Sequence, residues 1–170
     1  MTGFLSDREI RALINAKQPL IEGWQNLEEQ VQPNGFDITL RDVAMMETGG
    51  EIGIKTRRIP PQTPLAFDAF GYIDLVPGAY IVTYNEIVHL PKDIMALGAP
   101  RSSLLRCGVT LGMAVWDAGY NGRSQSLLVV YHPHGFRVQQ NARIAQLVFH
   151  KLASQTEGYN GIYQGENINK

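Results

Sequence analysis

Short apolar runs, interrupted at close and regular intervals, constrain this chain more than any other feature of its sequence. "PNGFDITL" from Pro33, "GEIGIKT" from Gly50, "PLAFDAFGYIDLVPGAYIVTYNEIVHLP" from Pro64 and "GFRVQQNARIAQLVFHKL" from Gly135 are rich in β-branched and aromatic residues. Pro, Gly or Asn breaks them about every eight to twelve positions. Runs this short cannot complete helices, whereas strands of such length pair well, so the punctuation predicts an all-β sandwich or barrel. With 170 residues the chain has enough length for one such domain and its core.

Two segments depart from the strand pattern. Ile10, Leu13 and Ile14 fall at i, i+3 and i+4, and Ser6 with Glu9 makes an S-x-x-E capping box, which predicts a helix between Ser6 and Ala16. "RSSLLR", from Arg101 to Arg106, sets two leucines side by side behind a serine pair and predicts a short helix capped by Ser102 or Ser103. The last residues, "EGYNGIYQGENINK", have no period and carry three glycines. They are expected to form a mobile lid, residues 155–170, on a β domain of residues 1–154.

Fifteen basic and sixteen acidic side chains leave a net charge of −1, which points to neither a nucleic-acid nor a membrane surface. Any anionic ligand must be held by a local cluster. Cys107 is the single cysteine, so neither an internal disulfide nor a cysteine-paired zinc site is expected, and a cytoplasmic location fits. No run approaches the eighteen apolar residues of a membrane helix.

Three stretches could carry chemistry, and each also has a plain structural explanation. In "PRSSLLR", Arg101, two hydroxyls and Arg106 gather where a helix start would offer free N–H groups to a phosphate; a simple helix cap is the alternative. Asp37 follows Asn34-Gly35 and could fix an N-G turn, or orient water around a phosphate-bound metal. In "VWDAGYNG", Asp117 could cap a turn made by Gly119, Asn121 and Gly122, or serve as a general base, with Tyr120 packing on a sugar face. "HPH" at residues 132–134 reads as a turn around Pro133. P-loop, dinucleotide-binding and zinc-deaminase motifs are all missing from the sequence.

Taken in order, "LSDREI", "QPNGFDITL", "PRSSLLRCGV", "VWDAGYNGRS", "NARIAQLVF" and "YNGIYQGE" resemble the dCTP deaminase and dUTPase superfamily, and within it the archaeal-type dUTPase branch. The resemblance runs from Leu5 to about Glu166 and implies a distorted β-barrel or jelly roll acting on dUTP with Mg2+, as a homotrimer whose sites lie between subunits. It implies that Arg101, Ser102 and Ser103 hold the triphosphate, with Arg106 closing the segment. Asp117 would activate the attacking water and Tyr120 would pack under deoxyribose. Met113 to Val115 would read the pyrimidine through backbone groups, Gln146 would lie near the phosphates, and Asp37 would reach the magnesium through water. Tyr159, Tyr163 and Gln164 resemble the segment that closes over the nucleotide.

Two departures from the family pattern matter. Deaminases of this superfamily carry a glutamate ten residues after the motif aspartate, where this chain has Leu127, which cannot move a proton. Hydrolysis of dUTP without deamination is therefore the expectation, although Glu157 and Glu166 of the tail could enter the site, where a mobile tail would hold a base poorly. The ending lacks the arginine of common trimeric dUTPases. Two alternatives stay open at this point: a bifunctional enzyme taking dCTP to dUMP, and a deoxynucleotide-binding module that does not hydrolyse.

Overall fold

The computed structural model describes residues 2–169; Met1 and Lys170, the outer ends of the two expected segments, lie outside them. Among these residues are sixteen strands and three short helices, in agreement with the all-β expectation. No helix is long and apolar enough to cross a membrane.

One long strand, Gly35–Met46, organises the molecule. Its first half pairs antiparallel with Arg143–Lys151, whereas its second half pairs with Gly78–Tyr84 on one edge and Gln62–Leu65 on the other. Register shifts between Leu40 and Asp42, and between Arg143 and Ala145, let the sheet curl where the partners change. Gly78–Tyr84 continues through Gln125–Val130 to Val109–Gly112, and Ile94–Pro100 covers the far edge of Arg143–Lys151. The result is a strongly curled half-barrel.

Side-chain alternation fills it. In Gln125–Val130 every second residue is buried, so Ser126, Leu128 and Val130 face inward. Phe36, Ile38, Leu40, Leu147 and Phe149 form the inner layer where the two longest strands cross, and each is at most 1% exposed. Burying a side chain of this size stabilises the fold by roughly 1.5–3 kcal/mol.

The N-terminal helix spans Asp7–Ile14 with the full Ser6/Glu9 capping box in place. The second expected helix is also present, Ser102–Arg106, but its cap is different. Arg101 is the N-cap, in extended geometry with its N–H tied to the Ile144 carbonyl at 3.0 Å, and its side chain, which has only donors, cannot cap the helix. Ser102 and Ser103 therefore stand inside the first turn. The N-G turn is corrected as well. Pro33 and Asn34 make the two-residue hairpin loop, and Gly35 is already strand, where a Cβ would lie 2.5 Å from the Leu147 carbonyl oxygen. Glycine is needed there for close strand approach. "HPH" does turn, with Gly135 N–H closing on the His132 carbonyl at 2.9 Å.

Candidate active site

The Asp117 loop is clamped from both sides. Trp116 exchanges both backbone hydrogen bonds with Ala96, and its indole Nε1 donates to Ser124 Oγ at 3.0 Å. Tyr120 N–H then closes on the Asp117 carbonyl at 3.0 Å, with Gly119 at φ +86°, as the third position of a type II turn requires. The turn is therefore Asp117–Tyr120. Asn121 and Gly122 do not belong to it, because they form a short strand paired with Val88 and His89. The main chain closes this turn without help from the Asp117 side chain, which is exposed. Among the described residues nothing hydrogen-bonds or ion-pairs with its carboxylate.

That carboxylate lines a cavity of about 560 Å³ together with Val115, Trp116, Tyr120, Tyr159 and Tyr163. Tyr120 is buried, packs edge-on against Tyr159 with ring centres 5.7 Å apart, and donates its phenol to Glu166 Oε1 at 2.8 Å. Burial first, and then the Glu166 carboxylate, hold the Tyr120 phenol well above its ordinary pKa, so it stays a protonated donor. Gln62, Ser124, Gln125 and Glu166 complete the polar part of the wall. Of these four the sequence points to Glu166 alone, as a tail group able to enter the site; Ser124 closes the "VWDAGYNGRS" stretch without a role there, and Gln62 and Gln125 belong to no spaced motif. Met113 packs behind the wall, against Gly98.

A second cluster forms at the crossing of Gly35–Met46 and Arg143–Lys151. Asp37, only 2% exposed, faces Arg101 Nε at 2.9 Å and Arg143 Nη1 at 3.6 Å. Neither contact is in line for a hydrogen bond, so Asp37 Oδ2 is held by charge alone. Burial raises the Asp37 pKa, and the two guanidiniums oppose that rise. Gln146 stands opposite Asp37 in register. Ser102 and Ser103 are exposed next to Arg101, while Arg106 donates back to the Ser102 carbonyl at 3.1 Å. Arg101, Ser102, Ser103, Arg106 and Gln146 thus share one region, and none of them lines the Asp117 cavity.

Beneath this cluster lies a polar group that no motif announced. Glu86 is fully buried and accepts from Thr39 N–H at 2.9 Å, Thr39 Oγ1 at 2.7 Å and Gln30 Nε2 at 2.7 Å. Gln30 Nε2 also donates to the Asp37 carbonyl at 2.8 Å, so Glu86 fixes the backbone that carries Asp37. Burial raises the Glu86 pKa against these hydrogen bonds. A charged residue inside "TYNEIVHL" was the only available signal.

The tail lies along the Asp117 loop of its own chain. Tyr159 N–H reaches the Ala118 carbonyl at 2.7 Å, and Arg123 N–H reaches the Glu166 carbonyl at 2.9 Å. The Gln164 amide brackets the loop, donating to the Gly119 carbonyl and accepting from Asn121 N–H, both at 2.9 Å. Gln164 thus binds main chain, whereas Tyr159, Tyr163 and Glu166 enter the cavity wall. Among the described residues no three His, Cys, Asp or Glu side chains gather to hold a metal ion.

A curled β-barrel that presents a carboxylate and a buried tyrosine on one tight turn matches a known group. The chain belongs to the dCTP deaminase-like family, whose model covers residues 4–152. Over 168 residues it is 49% identical to a probable deoxyuridine 5'-triphosphate nucleotidohydrolase of Methanosarcina mazei, covering 97% of this chain and 98% of that protein. The corresponding protein of Archaeoglobus fulgidus is 47% identical over 166 residues, 96% of this chain and 97% of that one. Among solved structures, a 2'-deoxycytidine 5'-triphosphate deaminase from Agrobacterium tumefaciens superposes with a TM-score of 0.70 at 26% identity. That match covers 88% of this chain, which spans about half, 49%, of the deaminase. The EIAV dUTPase shares the fold, with a TM-score of 0.51, 15% identity, and coverage of 84% of this chain and 95% of that one.

Proposed function

We propose that this protein hydrolyses dUTP to dUMP and pyrophosphate in the cytoplasm. The observation that carries the reading is the Asp117–Tyr120 turn, which holds an unpaired carboxylate and an aromatic platform in the wall of one cavity. The full-length likeness to probable dUTP nucleotidohydrolases supports the same substrate.

Asp117 accepts the proton of a water that attacks the α-phosphorus in line, and pyrophosphate leaves from the opposite side. Tyr120 packs under the deoxyribose, with no room for a 2'-hydroxyl. The backbone around Val115 faces the pyrimidine, and Tyr159 and Tyr163 cover the nucleotide from the tail. Arg101, Ser102, Ser103, Arg106 and Gln146 hold the triphosphate, and Asp37 keeps Arg101 aimed. Among the described residues no side-chain cage gathers for a cation, so magnesium would come with the triphosphate, and Asp37 would act on it only indirectly, through water. When bound, magnesium neutralises charge on the phosphates.

Because the phosphate-holding cluster does not line the Asp117 cavity, a second copy of the chain supplies it, which favours a homotrimer with sites between subunits. Leu127 leaves the strand after the loop without an acid or base, so deamination is not part of the activity.

Incubating the protein with each deoxynucleoside triphosphate and magnesium, and following base and phosphate products together, tests this reading. Pyrophosphate and dUMP are expected from dUTP; dUMP appearing from dCTP would overturn the role given to Leu127. Asp117→Asn should lower turnover by about two to four orders of magnitude while keeping nucleotide binding. Full hydrolysis by that variant would remove Asp117 from the mechanism.

A further inference from the structure

The cavity wall contains few uncharged hydrogen-bonding side chains that are not already committed. Ser124 Oγ receives the Trp116 indole, and Glu166 receives the Tyr120 phenol. Besides the phenols of Tyr159 and Tyr163, the two amides Gln62 and Gln125 remain, and they bond to each other. Gln125 Nε2 donates to Gln62 Oε1 at 3.2 Å, and Gln62 Nε2 donates back to Gln125 Oε1 at 3.4 Å. Both distances are long for amide hydrogen bonds, so the clasp is weak and exchangeable. Gln125 Nε2 also donates to Thr83 Oγ1 at 3.0 Å, which orients that amide. Gln125 lies two residues before Leu127 on the same face of the Gln125–Val130 strand, and Gln62 reaches it from the Gln62–Leu65 strand.

A carboxamide presents a donor beside an acceptor, and so does the imide edge of uracil, where N3–H adjoins the C4 carbonyl. An amide clasped to another amide is therefore already shaped for an imide. We propose that Gln62 and Gln125 are specificity-determining residues that open their mutual clasp to read the imide edge of the uracil ring, with Thr83 fixing the orientation of the Gln125 amide. Cytosine presents the opposite order, an acceptor at N3 beside an amino donor, and meets a mismatched amide. The proposal rests on the Asp117 cavity being the nucleotide site.

The test measures inhibition of dUTP hydrolysis by dUMP and by dCMP for the full-length protein and for Gln62→Leu, Gln125→Leu and Gln125→Glu, each checked by thermal melting. Gln125→Leu should raise the KM for dUTP by about ten- to a hundred-fold and shrink the preference for dUMP over dCMP by a similar factor. Gln62→Leu should act in the same direction. Gln125→Glu keeps the shape but only accepts, so each base meets it with one matched and one repelled group, and it should erase the preference between dUMP and dCMP. Equal weakening of dUMP and dCMP, or an unchanged ratio in all three variants, overturns the proposal. Asp117→Asn run in parallel separates the two levels. If it hydrolyses dUTP normally, the site reading fails and the amide proposal with it. If it is inactive while the Gln125 variants keep the original ratio, the amide proposal alone fails.

Discussion

Asp37 and Glu86 are carboxylates placed where water hardly reaches, and each is kept by a different device. Asp37 has two guanidiniums in ion-pair contact, whereas Glu86 accepts its hydrogen bonds from neutral donors of Gln30 and Thr39, with the Arg123 guanidinium acting on it only from a distance. The difference has a pH signature. Burial raises the folded-state pKa of Glu86 above its ordinary 4.5, so the folded protein binds this proton more tightly than the unfolded chain. The Glu86 contribution to stability is thus full below pH 4.5 and is lost as pH rises through the elevated folded value. Urea titrations of the wild type and Glu86→Gln should therefore show the stability difference moving against the wild type as pH increases from about 4.5 toward neutrality. A difference that stays flat across that range would mean Glu86 titrates normally.

Elements, not single residues, decide what was readable in advance. Periods of two and of 3.6 residues are written into local sequence, so the β-rich runs and the Ser6-capped helix were visible directly. The resemblance to the family likewise carried the Asp117 motif. Turn boundaries were not visible, because Asn121-Gly122 looks like turn chemistry until strand Ile87–His89 pairs with it. Nor could local pattern show that Gln62 meets Gln125 across 63 positions, or that Gln30 reaches Glu86 across 56. Such contacts depend on how the long Gly35–Met46 strand changes partners midway. The tail and the Asp117 loop behave as one element for a related reason. A Cβ at Gly119 would lie 2.7 Å from the Gly158 Cα, at a φ of +86° that alanine adopts only at a cost of about 1–2 kcal/mol. Gly119→Ala should push the tail off the loop, seen as faster proteolysis of the C-terminal segment and a higher KM for dUTP. A tail equally protected in that variant would show that docking does not depend on this contact.

At the scale of the whole molecule, one chain holds two separate clusters, which on the proposed function are two half-sites. The Asp117 cavity holds Tyr120 and the exposed carboxylate, and the Arg101 cluster holds the guanidiniums, with the Trp116–Ala96 bridge belonging to the first and the Asp37 pairs to the second. A chain that divides its chemistry in this way should assemble, and sedimentation equilibrium should give the mass of three chains. A monomer that hydrolyses dUTP at full rate would show that one chain closes the site alone. The lone cysteine makes such assembly easy to follow. Cys107 is exposed at the C-cap of the Ser102–Arg106 helix, directly after Arg106. A thiol-reactive fluorophore attaches there, at one position per subunit and without any substitution, so the native protein can report subunit exchange by energy transfer between differently labelled populations.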